Sequence, residues 1–248
     1  MTNAYKKSYG LVRANMDILL NSDMSCLTIL SPAGMGKTTL VFKSMKELGL
    51  NHGEQFLYYN SYFTPLSFFQ TLQKVTELQA PQILILDDVE MILNDKNIIN
   101  FLKSATWENE SGCRWVNYNS TSKLVKEKTI NFTGKIIILI NETPAKNPMF
   151  QAIVDRVLFT ELEFSQAEIL ELMKTEMVAK PYKTLKQAQR EKVFHFIKKN
   201  ISPETELSFR TLIKAYNSML YAPNHWQDLV KSTLGGKKQQ AKSPNTII

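Results

Sequence analysis

Long apolar runs are missing from this chain of 248 residues: the longest, Ile136–Ile140, is five residues. A bilayer span needs about 20, so no membrane crossing is expected. The opening MTNAYKKSYG leads into no apolar stretch of secretory length, and no export signal is expected there. Cysteine and histidine are scarce. Cys26 and Cys113 lie far apart and form no C-x-x-C, and together with His52, His195 and His225 they offer no metal-ligand spacing. Reduced thiols and a cytoplasmic setting are expected, rather than a disulfide framework or a zinc site. No internal repeat is visible.

What the chain does have is an ordinary globular composition, 44% apolar, 10% aromatic and 21% charged, enough to bury a core. Its formal charge of +7 is unevenly placed. Residues 1–179 carry 17 basic and 19 acidic side chains, a net of −2, whereas residues 180–248 carry 13 and 4, a net of +9. A basic segment attached to a near-neutral one suits an acidic partner, most simply a nucleic-acid backbone; a solvated Lys-rich helix surface is the plainer reading.

Strand and helix patterns alternate through the first three quarters. Residues 4–21 read as an amphipathic helix, Leu27–Leu30 as a buried strand and Thr38–Leu48 as a helix. Gln55–Tyr59 reads as a strand, followed by a helix that Thr64 caps and Pro65 begins. Gln82–Leu86 and Lys135–Ile140 are apolar strands, with a helix over Asn94–Thr106 between them. Polar residues 107–134 hold two short strand-like pieces, Arg114–Tyr118 and Thr129–Phe132. A helix Pro148–Arg156, a strand Val157–Glu161 and a helix Gln166–Met177 follow. Fully apolar strands alternating with helices indicate an α/β fold with a parallel sheet covered on both faces. Beyond about residue 180 only helical patterns remain, at Thr184–Lys199, Glu204–Tyr221 and His225–Leu234, and the polar end is expected to be flexible. The expected division is an α/β core over 1–179, an all-helical subdomain over 180–234 and a basic tail over 235–248.

Ser31-Pro32-Ala33-Gly34-Met35-Gly36-Lys37-Thr38 lies between a buried strand and a helix. That is the setting of a phosphate-binding loop, in which glycines let backbone N–H groups turn inward beside a helix N-terminus. The expected cradle is Pro32, Ala33, Gly34, Met35, Gly36, Lys37, Thr38 and Thr39. Lys37 would reach the terminal phosphates and Thr38 would ligate Mg²⁺. Ser31 stands where such loops usually begin with glycine.

The strand Ile83-Leu84-Ile85-Leu86 ends in Asp87-Asp88, at the carboxyl end where α/β sheets bind ligands. Asp87 is the candidate Mg²⁺ ligand and Asp88 the candidate group that polarises an attacking water. A helix N-cap would account for one of the two carboxylates but not for the pair, the apolar run and the upstream loop together.

Three further stretches narrow the reading: Asn141 after the strand Lys135–Ile140, Asp155-Arg156 ahead of the last strand, and Leu207-Ser208-Phe209-Arg210 among the helices. With the loop and the acidic strand, the chain from about residue 5 to 234 resembles the AAA+ ATPases, of the small phage, mobile-element or replication-associated kind. The resemblance implies five parallel strands, a helical lid, ATP with Mg²⁺, and hydrolysis at the subunit interfaces of a homo-oligomeric ring or filament. It implies that Asn141 is the first sensor and Arg156 an arginine finger for the neighbouring subunit. Arg210 would be the second sensor, Asn60 a polar switch near the catalytic carboxylate, and Gly10 would lie near the adenine pocket. This chain carries Asp88 where the family usually has Glu, a side chain shorter by about 1.5 Å, so Glu90 is a second candidate for orienting water.

The stretch 107–134 carries Arg114, Trp115, Tyr118, Lys123, Lys126 and Lys128, a basic-aromatic set suited to a nucleic-acid strand. A surface hairpin with Trp115 packed on the core is the plainer alternative. DNA is the expected partner, as for a helicase, a helicase loader or a transposition-type ATPase. A protein remodeller, with Tyr62-Phe63 in an aromatic pore loop, is the alternative, as is a STAND-like nucleotide switch suggested by Lys37-Thr38-Thr39-Leu40 and Leu86-Asp87-Asp88-Val89.

Overall fold

The computed structural model describes residues 3–119, 127–143 and 148–235. The chain divides into two compact units, Ser8–Glu163, and Phe164–Ile248 with Met1–Lys7.

The first unit is built on a five-stranded parallel sheet. Its strands are β1 (Cys26–Leu30), β2 (Phe56–Tyr59), β3 (Ile83–Asp87), β6 (Lys135–Ile140) and β7 (Leu158–Glu161), in the order β2-β3-β6-β1-β7. Every residue of β1 and β3 is buried, as the unbroken apolar runs require of strands covered on both faces. Helix α3 (Pro65–Thr76) turns Phe68, Phe69, Leu72 and Val75 into the core, and α4 (Lys96–Thr106) adds Ile98, Leu102 and Ala105. Both start where the chain supplies an acceptor for free helix N–H groups. Thr64 caps α3 with Pro65 next to it, and Asp95 accepts from the N–H groups of Asn97 (2.8 Å) and Ile98 (3.1 Å). Helix α1 (Asn3–Asn21) buries Val12, Met16 and Leu19, a helical spacing.

A separate antiparallel hairpin, β4 (Trp115–Asn117) with β5 (Thr129–Asn131), lies between α4 and β6 in the chain, and a short helix, α5 (Pro148–Val154), lies between β6 and β7. The chain then enters β6 through Gly134. A Cβ there would come within 2.7 Å of Val75 Cγ1 and 2.8 Å of Phe132 Cζ, so any side chain at this position would force those neighbours to shift.

The second unit is helical: α6 (Gln166–Leu172), running on as one wider π turn over Met173–Val178, then α7 (Gln187–Asn200), α8 (Phe209–Tyr221) and α9 (Trp226–Gly235). Its core holds Val193, Phe194, Ile197, Leu212, Ala215, Tyr216 and Val230. Two helices start later than the apolar pattern indicates. Lys183 adopts a left-handed backbone (φ 45°) inside the Tyr182–Leu185 turn, which delays α7. Ser202 and Thr205 close a local turn through Ser202 N to Thr205 Oγ1 (2.9 Å), so α8 waits until Phe209.

Candidate active site

The loop after β1 and the start of α2 (Lys37–Glu47) form the base of the site. Gly34 and Gly36 have φ of 79° and 84°, values that a side-chain-bearing residue rarely adopts. No side chain caps α2, in contrast to α3, α4 and α6, whose caps are Thr64, Asp95 and Ser165. The first helical bond runs from Leu40 N to Gly36 O (2.9 Å). The end of α2 nearest the loop is therefore left for an external acceptor, an arrangement suited to phosphate. Ser31 is wholly buried, its Oγ has no hydrogen-bond partner among the described residues, and its carbonyl accepts from Lys37 Nζ (2.6 Å).

Strands β3 and β6 bring the acidic and amide groups to the same sheet edge. Lys37 Nζ donates to Asn141 Oδ1 (2.8 Å), and Asn141 Nδ2 donates to Asp88 Oδ1 (2.6 Å) and Glu90 Oε1 (3.1 Å). The Asn141 backbone N–H also donates to Glu90 Oε1 (2.6 Å). Asp88 holds a left-handed backbone, φ 52°, where Asp and Asn are the best-tolerated side-chain-bearing residues. Asn60 Nδ2 stands 3.5 Å from Asp88 Oδ2, at the limit of a hydrogen bond. Thr38 Oγ1 donates to Asp87 Oδ2 (2.7 Å). A hydroxyl beside a buried carboxylate, next to an uncapped helix start, is an oxygen-rich set that fits Mg²⁺ carried in with a nucleotide.

Tyr58 is a further member of the site, which its own segment does not announce. Its phenol donates to Asp87 Oδ2 (2.9 Å), and burial, followed by that bond, raises its pKa. The signal was its place near the end of β2, the strand paired to β3.

Arg156 lies elsewhere. It precedes β7, whose Leu158 pairs with Leu27 at the start of β1, whereas Lys37, Asp87 and Asn141 lie at or beyond the carboxyl ends of their strands. At about 3.3 Å per residue, five residues of strand separate the two sheet edges by roughly 16 Å. Arg156 is exposed and stacks on Trp107, its Cζ 4.8 Å from the ring centroid. Arg210 is exposed in the first turn of α8, in the helical unit.

The hairpin set divides. Arg114 is buried; it donates through one guanidinium nitrogen to the carbonyls of Ala105 (3.0 Å) and Gly134 (2.8 Å), and its cation lies over Phe132. Burial lowers its pKa. It is a structural pin rather than a surface cation. Tyr118 packs against Phe69 and Phe101, while Trp115 is 46% exposed and Lys128 is exposed. Lys123 and Lys126 lie outside the described residues. Of the pair after β2, Phe63 is core and Tyr62 is exposed. In the basic segment Arg190 is buried and bonds the carbonyls of Val178 (2.9 Å) and Leu185 (2.6 Å), so it too is unavailable to a partner. Of the 235–248 tail only Gly235 is among the described residues. Burial pushes the Cys26 thiol up to about 12, the mark of an inert core cysteine. The described residues contain no cluster of three metal-ligating side chains and no helix long and apolar enough to cross a membrane.

No protein-family model matches the sequence, and no curated protein does. Solved structures do match the fold. Cdc6p from Pyrobaculum aerophilum superposes with a TM-score of 0.59 at 12% identity, over 91% of this chain and 63% of that one. A DNA replication initiation factor gives 0.52 at 14%, over 89% and 62%. The RuvB Holliday junction branch migration motor of Thermotoga maritima gives 0.52 at 15%, over 94% and 68%. All three are AAA+ P-loop ATPases. The chain has the AAA+ fold. The expected parallel sheet followed by a helical region is observed. The chain spans under two thirds of the length of the initiation factor and of Cdc6p.

Proposed function

We propose that this chain is an ATPase whose site is completed by a neighbouring copy and whose work is done on DNA. The observation that carries the reading is the connected set Lys37–Asn141–Asp88, standing beside Thr38–Asp87 at an uncapped helix start. The residues Pro32–Thr39 hold the triphosphate by backbone N–H groups, and Lys37 neutralises its terminal charge. Thr38 and Asp87 hold Mg²⁺, which supplies charge neutralisation between the phosphates. Asp88 orients the attacking water, and Asn141 fixes the direction of that carboxylate while Glu90 fixes Asn141. Arg156 lies too far from its own phosphate loop to serve it, which supports its acting on the γ-phosphate bound by the adjoining copy. Arg210 is assigned the contact of the helical lid with nucleotide.

Three features support DNA as the partner: the +9 excess in residues 180–248, the exposed Trp115 on the hairpin, and neighbours of the same fold described as a replication initiation factor and a branch migration motor. The exposed Tyr62 after β2 supports a second reading, protein remodelling through an aromatic loop. Scattered, unpaired cysteines suit a cytoplasmic setting. The test is the ATP hydrolysis rate without DNA, with single-stranded DNA and with duplex. Stimulation by DNA that is lost in Lys37→Ala is expected. A rate indifferent to both, with ATP still bound, contradicts the DNA reading and leaves remodelling.

A further inference from the structure

Arg156 is held in an unusual way for an exposed arginine. It has no hydrogen bond and no ion pair among the described residues. The other described arginines of the sheet unit differ. Arg13 bonds Asp17 at 3.1 Å and approaches Glu47 at 3.8 Å, and Arg114 donates to two carbonyls. Arg156 instead lies over the ring of Trp107, a residue 58% exposed at the end of α4. A tryptophan so exposed contributes little to the core. Both side chains line an open groove of about 290 Å³, together with Lys103, Ser104 and Trp115.

An ion pair would engage the N–H edge of the guanidinium, the same edge that grips a phosphate in fork geometry. Stacking on an indole engages only the face. The cation is thereby held at the ring while its donors take no partner among the described residues, so less freedom is lost when a phosphate arrives.

We propose that Trp107 is a positioning residue for Arg156: its indole holds the guanidinium by the face and presents the donor edge to the γ-phosphate of an adjoining copy. This rests on the reading of Arg156 as a residue that acts in trans. Trp107 touches no substrate and acts only through Arg156. An exposed cation–π contact is a modest interaction, so the expected loss on removing it is about 3- to 10-fold in turnover, against roughly 1,000-fold for removing the arginine.

The experiment compares full-length wild type with Arg156→Ala, Trp107→Leu and Trp107→Phe, at a protein concentration where specific activity has levelled off. Trp107→Leu should lower kcat by about 3- to 10-fold with KM unchanged, and Trp107→Phe should restore it to within about twofold, because a phenyl face also holds a guanidinium. In a chain carrying Trp115→Phe and Trp226→Phe, Trp107 is the only indole. Its emission should shift when a non-hydrolysable ATP analogue drives assembly, and the shift should vanish when Arg156→Ala is added. Wild-type turnover in Trp107→Leu beside an inactive Arg156→Ala overturns the positioning role and leaves the trans arginine standing. A Trp107→Phe as slow as Trp107→Leu, a raised KM with unchanged kcat, or an unmoved emission also overturns it. Wild-type turnover in Arg156→Ala overturns the trans reading itself.

Discussion

Lys37 and Asn141, 104 positions apart in sequence, share a hydrogen bond of 2.8 Å, and the same amide turns its nitrogen to Asp88 and Glu90. The side-chain amide has one acceptor and one donor end, and here each has a different partner. Its orientation is therefore determined by charge on both sides, a cation at the oxygen and two carboxylates at the nitrogen. A phosphate drawing Lys37 toward itself acts directly on the amide that holds Asp88.

Lys37→Ala removes the cation from this set. ATP affinity should fall by about 2–3 kcal/mol, roughly 30- to 150-fold, the scale of a hydrogen bond to a charged group. Calorimetric titration measures it, and thermal unfolding should still show a cooperative transition. Equal affinity in the variant and the wild type would remove Lys37 from the phosphate cradle.

Asp88→Asn and Glu90→Gln separate two carboxylates that the same amide touches. Asp88→Asn should keep ATP affinity and lose about 100-fold or more in turnover, since the interaction it removes belongs to the transition state. Glu90→Gln should lose less, because it acts through Asn141. Single-turnover hydrolysis distinguishes them, and the reverse order would move the water-orienting role to Glu90.

Arg114→Ala should act on folding instead. It leaves the carbonyls of Ala105 and Gly134 without their donor and empties the space over Phe132. A loss of about 2–4 kcal/mol in stability is expected. Denaturant unfolding measures it, and an unchanged midpoint would return Arg114 to the surface set.

How these residues read beforehand depends on what range of the chain carries the signal. The runs Ile83–Leu86 and Lys135–Ile140 declare buried strands locally, and Gly34-Met35-Gly36-Lys37 needs only its flanking strand and helix. The Asp87–Asp88 pair and Asn141 are legible because they end such strands. Tyr58 is not, because its partner Asp87 lies on a neighbouring strand and adjacency in a sheet is not written in either segment. Arg114 sits in a polar stretch and reads as a surface cation; only the fold brings the end of α4 and the entry to β6 to its two sides. The π turn at Met173–Val178 continues an ordinary helical pattern, with no residue to mark the change of winding.

The Ser165–Glu168 capping box gives the helical unit an acid limb. Ser165 N and Oγ both lie 2.8 Å from Glu168 Oε2, and those bonds, the backbone one first, hold the carboxyl below its ordinary value of 4.5. The folded state therefore binds fewer protons than the unfolded one near that pH. The stabilisation is complete above pH 4.5 and is lost as pH falls through the lower folded value. Glu168→Gln should differ most from wild type in unfolding temperature above pH 4.5, and the gap should narrow as pH falls below that value. Unfolding curves across the acid range check it, and a gap that does not narrow would contradict the assignment.

Mixing two inactive variants tests most directly whether each site is finished by another copy of the chain. Arg156→Ala keeps Asp88 but lacks the arginine, and Asp88→Asn keeps the arginine but cannot orient water. In mixed assemblies some interfaces pair the intact Asp88 of one subunit with the intact Arg156 of the other. ATP hydrolysis is measured for each variant alone and for an equimolar mixture at the same total protein concentration. Each alone should be nearly inactive, and the mixture should recover a substantial fraction of wild-type turnover, rising with protein concentration. A mixture no more active than the mean of its parts, together with a wild-type specific activity independent of concentration, would contradict it.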